Sequence, residues 1–461
     1  AVQEDFFRFR PMKTTKDTGA VLFIVRSCDC SSAGRGTAFA APVKFFAPAL
    51  AACAALGLFL CGALAETGAS EPVLSSAPKT KTVHLVLRPD DSKRSDSVRT
   101  ERPTDVIARL IVDYRGEDRS GNQVGFAAVE FPDGRLEVIS HSDIVLMEEV
   151  GEPFRPLDAD ELGEQLSAEA GAGFKILKSR HFLFVYNTSE AYAAWCSKLF
   201  ETLYLGFDKY QTQRGLNLND PEFVMPVIIF PNREVFTNYA ERDMLSAEGI
   251  VAYYNRVTNR VVLYDLSEEE TSETSEEPRK RRRLNSQQIA EFLARPNAEL
   301  NVSTIVHEAT HQIAFNRKMF PRTGPYPLWL VEGLSMAFET PSKDAAAGWN
   351  RRYSAVHPNL VRHRQLMSYL ERMPADPIRD ILRTNQFEGN LLDSYAVAWG
   401  LFHYLNMKQP KKLSEYITLV AQKYPYQKYT PEERLADFEA VFGDDWERFY
   451  KGFVRYMMSI K

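Results

Sequence analysis

Cysteine is scarce and poorly distributed for cross-linking. The 461-residue chain has five, and Cys28, Cys30, Cys53 and Cys61 all fall within the first 65 positions, leaving Cys196 alone. A disulfide-built scaffold is thereby excluded. A basic excess is also lacking: 56 Lys and Arg against 61 Asp and Glu give a net charge of −5 and a pI near 6.0. That balance argues against a dedicated nucleic-acid binder. Long uncharged apolar runs are missing except at residues 45–65, so a polytopic membrane protein is excluded too. With 44% hydrophobic and 25% charged residues, the composition is that of a globular protein. At roughly 100–200 residues per domain, the length allows two to four domains.

The one apolar run follows Lys44 and ends in Ala63-Leu64-Ala65, a small-x-small pattern like a signal-peptidase site. Residues 1–65 are therefore read as an export signal or a membrane anchor. The run, about 21 residues long, could span a bilayer uncleaved, and Leu50-Ala51-Ala52-Cys53 resembles a lipobox. The expected location is periplasmic, cell-surface or extracellular, with a membrane engaged only through residues 45–65. Seven basic and four acidic residues leave with the leader, so the remainder is more acidic than the whole.

Residues 66–105, rich in Ser, Thr, Pro, Asp and Lys, read as a linker with one strand at 82–87. Short β patterns at 108–114, 124–130, 135–139 and 144–147, with a Pro132-Asp133-Gly134 turn, predict a small SH3-like module over 106–150. Nothing in it marks a ligand, and a spacer is the expected role. Residues 151–172 read as a second linker or short helix. Strand and helix patterns then mix from 173 to 265, where a Val257-Thr258-Asn259 turn joins two strands. A run of glutamates and then arginines over 267–283 reads as a solvated insertion, and from Gln287 onward the pattern is helical. The expected fold class is α+β. It comprises a domain over 173–341 with a small mixed sheet and active-site helices, a helical part over 342–461, and the N-terminal β module.

The chemistry concentrates in Ser303-Thr304-Ile305-Val306-His307-Glu308-Ala309-Thr310-His311-Gln312. A spacing of i and i+4 puts His307 and His311 one turn apart on one helix face, where both imidazoles reach one ion. Glu308 is rotated by about 100° and borders that ion without ligating it, where a general base belongs. Two histidines alone under-coordinate a catalytic zinc, which takes three protein ligands. The metzincin extension is excluded, because Ala314 and Arg317 stand where it needs Gly and His. Glu332 lies 21 positions after His311 in Trp329-Leu330-Val331-Glu332-Gly333, beyond a loop holding Pro321, Gly324, Pro325 and Pro327. An antiparallel return would bring it to the histidines. Its apolar surroundings make an unpaired carboxylate costly, and metal ligation offsets that cost.

The two motifs together resemble the gluzincins, zinc metallopeptidases whose third ligand is a glutamate on a following helix. More narrowly they resemble an uncharacterised family of secreted bacterial gluzincins, a domain of unknown function, over about residues 174–405. The resemblance implies His307, His311 and Glu332 as Zn2+ ligands, Glu308 as base and acid, and a protein or peptide substrate. There are two departures. Met336 occupies the position four after Glu332 that is acidic in thermolysin-like enzymes, with Glu339 a candidate replacement. The Gly-x-Met-Glu-Asn motif of gluzincin aminopeptidases is also missing, its nearest stretch being Glu248-Gly249-Ile250-Val251-Ala252. An endopeptidase is therefore expected.

The resemblance also implies an open edge strand beside the motif helix, with Ala252–Asn255 or Arg260–Tyr264 supplying it; chain position alone suggests the charged insertion alongside as a lid. Tyr395 is the candidate donor to the oxyanion and His403 a second. His357 and His363 read as surface residues. The alternative is a zincin-fold surface protein without catalysis, against which the intact Glu308 weighs.

Overall fold

A computed structural model describes residues 80–88, 104–117, 122–243, 247, 249–267, 285–293, 295–340, 355, 357–372, 377–385, 387 and 390–460. The leader, most of the first linker and of the charged insertion, and Glu248 lie outside the described residues. The fold is α+β: two small sheets come first and a mostly helical part follows.

The first sheet has strands β1 (Lys81–Leu87), β2 (Asp105–Glu117), β3 (Gln123–Glu130), β4 (Leu136–Ser140) and β5 (Ile144–Glu149), ordered β4-β3-β2-β1-β5 and antiparallel throughout. A 3-10 turn at His141–Asp143 joins the two outer strands. Strand β1, read from sequence as a lone strand inside a linker, pairs with both β2 and β5. Its alternation sends Val83, Leu85 and Leu87 into a core with Ala108, Ala127, Val129, Phe131 and Ile139. The Pro132-Asp133-Gly134 turn is as expected, with Gly134 at φ 82°.

Helix α1 (Ala159–Ala170) occupies the second expected linker and opens with a capping box between Asp158 and Glu161. It ties the two sheets together. Gln165 donates to Asp133 at 3.0 Å, and Glu169 pairs with buried Arg260 at 2.6 Å.

The second sheet contains β6 (Lys175–Lys178), β7 (Phe182–Tyr186), β8 (Met225–Phe230), β9 (Ala252–Asn255) and β10 (Arg260–Tyr264), with helices α2 (Glu190–Gln213) and α3 (Arg233–Asp243) between strands. Its order is β6-β7-β8-β10-β9, with β7, β8 and β10 parallel and the outer strands antiparallel. This order decides between the two expected edges: β10 is interior and β9 is the edge. The turn between them closes on Asn259 at φ 61°, a left-handed conformation that asparagine tolerates.

After α4 (Ser286–Leu293) come α5 (Pro296–Asn316) and α6 (Leu328–Phe338), then α7 (Leu360–Arg372), α8 (Pro377–Arg383), α9 (Leu391–Lys408), α10 (Pro410–Ala421), α11 (Pro431–Phe442) and α12 (Trp446–Ser459). Two features hold α5 and α6 in place. On the sheet side, the Gln312 amide donates to Pro226 O (2.9 Å) and Asn259 O (3.0 Å), bridging β8 and the hairpin turn. Asn316 and Asn259 also bond each other's side chains at 2.8–2.9 Å. On the helical side, α9 packs against α6 at Gly333. A Cβ there would sit 2.6 Å from Phe402 Cβ and 2.7 Å from Ala398 O. No helix among the described residues is long and apolar enough to cross a membrane.

Because one of the Gly333 neighbours is backbone, Gly333→Ala must push α6 from α9. It is expected to cost about 1–3 kcal/mol, read as a lowered Tm. Gly151→Ala, with open space around its Cβ, should stay within about 0.5 kcal/mol of wild type.

Candidate metal centre

Pro321, Gly324, Pro325 and Pro327 turn the chain so that α6 returns against α5. His307, His311 and Glu332 then converge, all buried, with ligand atoms within 4.8 Å of one another. His307 Nε2 lies 3.0 Å from His311 Nε2 and 3.1 Å from Glu332 Oε2, and His311 Nε2 lies 3.6 Å from Glu332 Oε1. Donors bound tetrahedrally at zinc distances are themselves about 3.3 Å apart. The imidazole pair and the Glu332 carboxylate, one oxygen towards each histidine, lie at separations of that order.

The outer nitrogens explain which atoms face inward. His307 Nδ1 is 2.8 Å from Glu339 Oε1, a carboxylate that accepts only, so the proton sits on Nδ1 and a lone pair on Nε2. His311 Nδ1 is 3.0 Å from the Ser335 hydroxyl, which can accept from it in the same way. Two imidazole lone pairs and a carboxylate therefore point at one another, and a cation between them relieves the repulsion. The electrostatics agree. Burial opposes charging His307, yet its hydrogen bonds to Glu332 and Glu339 outweigh that and raise its pKa to about 10, so that without a cation a proton on Nε2 fills the gap. Burial likewise opposes ionising Glu332, but His311 and His307 hold its carboxyl well below the usual carboxylate range. These residues fit a bound divalent metal.

Glu308 is also buried, and its Oε2 accepts the Tyr254 backbone N–H at 2.8 Å. Tyr254 lies on the edge strand β9, so its N–H points away from β10 and towards α5. Glu308 thus links the helix that carries the two histidines to the buried edge strand β9. Glu339, the candidate replacement for the acid missing at Met336, is held in turn by Asn359 Nδ2 (2.9 Å) and by Arg362 (3.4 Å). Asn359 also accepts from Arg362 N at the start of α7.

Tyr395 is fully buried, edge-on to Phe387 (5.0 Å), with the Arg362 guanidinium 5.5 Å from its ring centroid. It joins the network through Arg362, one contact from Glu339. His403 packs elsewhere: it stacks on Trp399 (5.2 Å), and its Nε2 meets the Tyr456 hydroxyl at 3.2 Å. Trp399 and His403 form a stripe one helical step from Ala398 and Phe402, which face α6. His363 is half-buried between α7 and α12, its Nε2 2.9 Å from Met457 O, rather than on the surface. Sequence reasoning passed over Ser335, Asn359, Arg362 and the Tyr254 N–H. Ser335 was within reach, because a position three after Glu332 shares its helix face. The others depend on tertiary contacts.

Residues 301–427 match a family described as "Protein of unknown function (DUF1570)". That stretch holds the three donors, Glu308, Glu339 and Arg362, but neither sheet. No curated protein matches the chain.

Two measurements follow. In competition with a chromophoric chelator, Glu332→Ala should lose stoichiometric zinc, and Glu339→Gln should weaken it roughly 10–100-fold. Equal affinity in Glu339→Gln would contradict the support given to His307. Separately, burial, reinforced by His363, lowers the His403 pKa to about 4. The unfolded chain, at an ordinary 6.5, then takes up this proton first. Stability should be full above pH 6.5 and fall by up to about 3 kcal/mol towards pH 4, with a shallower fall in His403→Gln.

Proposed function

We propose that the protein is a zinc-dependent endopeptidase of gluzincin type, exported by virtue of its leader. The observation that carries this reading is the position of Glu308, buried, next in sequence to the donor His307 and bonded to the backbone of the sheet's edge strand β9. A purely structural metal has no use for a carboxylate held there, and structural zinc sites are usually closed and cysteine-rich. Two imidazoles and a carboxylate, with one further position to fill, form the donor set of catalytic zinc. A third ligand that is a glutamate on the following helix supports kinship with the gluzincins.

Zinc held there lowers the pKa of water towards 7 and polarises a carbonyl. The chain supplies the rest. An extended peptide lies along β9, using main-chain groups that no strand of the sheet occupies. Glu308 takes a proton from the attacking water and passes it to the departing amine, its carboxylate kept in position by the Tyr254 N–H. Glu339 and Ser335 hold both imidazoles in the tautomer that leaves Nε2 free for the ion.

Glu308→Gln should retain stoichiometric zinc and lose roughly 10²–10⁴ in kcat on peptide substrates. Zinc binding without cleavage of any panel substrate by the wild type would overturn the peptidase reading. A donor role for Tyr395 predicts a fall of roughly 10² in kcat for Tyr395→Phe with KM held; a packing role leaves kcat near wild type.

A further inference from the structure

The loop between α5 and α6 sets the spacing of the helices that carry the three donors, and it is fastened largely from outside. Its Arg322, 9% exposed, donates to Glu130 Oε1 (3.1 Å) and Gly134 O (2.6 Å) of the N-terminal β module. The same guanidinium donates to Arg256 O (2.9 Å and 3.2 Å) and Val257 O (3.3 Å) in the turn that follows β9. Arg256 donates back to Arg322 O, and the module's Leu136 N donates to Val257 O at 2.8 Å. Thr323, next in the loop, accepts from Tyr426 N at 2.7 Å. Tyr426 is itself buried in a cluster with Ile111, Ala128 and Leu136 of the module.

The latch has its own support. Glu130 is 8% exposed and also accepts from Arg109 at 2.8 Å. The Arg109 guanidinium lies 4.2 Å from the Phe154 ring centroid and 5.9 Å from that of Phe223, and it pairs with Glu222. Glu222 in turn pairs with Lys318 at the start of the loop (3.3 Å). A spacer needs no such arrangement. A buried guanidinium shared by the module, the edge-strand turn and the inter-helix loop fixes all three relative to one another. Removing the Glu130 charge leaves the buried Arg322 guanidinium with carbonyl partners alone.

We propose that the β module is a working part of the metal centre, with Arg322 as the positioning residue. Held by Glu130, it sets the separation of α5 from α6 and of both from the edge strand β9. The metal-binding part of this proposal stands whether or not the protein hydrolyses peptides; only its bearing on substrate rests on the peptidase reading.

The experiment uses the full chain, with zinc affinity from chelator competition and the visible spectrum of the cobalt-substituted protein as readouts. The variants are Glu130→Gln, which keeps shape and removes charge, and Arg322→Lys, which keeps charge and loses the fork. Met457→Ala, a core change in α12, serves as a stability control. Both latch variants should bind zinc about three- to tenfold more weakly and shift the cobalt bands, while the control lowers Tm without either effect. In an active protein, KM should rise in the latch variants and not in the control. Zinc affinity within twofold of wild type and an unchanged cobalt spectrum in Glu130→Gln would overturn the proposal and return the module to a spacer. Wild-type protein that binds zinc but cleaves nothing would remove the peptidase reading and leave this one intact.

Discussion

Three buried lone pairs aimed at one point are the constraint around which the structure is arranged. His307, His311 and Glu332 approach to 3.0–3.6 Å with nothing apolar between them. Such an arrangement is tolerable only with positive charge at its centre, supplied by an ion or, failing that, by a proton shared among them. The raised pKa of His307 is the second solution, and three donors close enough to hold one metal ion allow the first. Either way the backbone must hold two helices at a fixed separation against repulsion. The features around them serve that requirement: amides of Gln312 and Asn316 tie α5 to the sheet, Gly333 lets α9 press on α6, and Arg322 fastens the loop between.

Much of this was legible in the residues, for a definable reason. Local periodicity places His307, Glu308 and His311 on one helix with no knowledge of the fold. The Pro and Gly residues of the return loop make Glu332 the natural third donor. The α+β class and the helical C-terminal part follow from patterns of the same short range. Pairing across long separations was not legible. Strand β1 sits in a stretch whose flanks have the composition of a linker, and its place between β2 and β5 depends on partners about 20 to 70 residues away. Which of β9 and β10 forms the edge depends on whether β10 pairs with β8, and no local signal encodes that. Asn359 and Arg362 reach Glu339 from 20 and 23 positions further along the chain, and are hidden for the same reason.

The β module shows how little composition reveals of a part's contacts. As a sequence it offers no ligand-binding pattern, so a spacer is the natural expectation. Its two buried contributions, a carboxylate from Glu130 and a carbonyl from Gly134, act through Arg322 on a loop nearly 190 residues away. Residue type carries no hint of this, because one glutamate at the end of a strand is ordinary.

The place of Glu339 has a structural cost of its own. Positions four and seven after Glu332 both return close to its face of the helix, so either can support a histidine on α5. Position seven, however, is the C-cap of α6, where the helix dipole disfavours negative charge. Burial adds to that penalty, yet Arg362 and His307 draw the Glu339 carboxyl below its ordinary value. The compensation comes from the start of α7. Asn359, at the positive end of that helix, donates to one Glu339 oxygen, and Arg362, on its first turn, pairs with the other. A carboxylate at the C-cap of α6 thus becomes acceptable because a second helix begins against it. Arg362 and Asn359 are therefore as much a part of the donor cluster's design as the glutamate they hold, and an acid at 339 without them would be a buried, dipole-opposed charge.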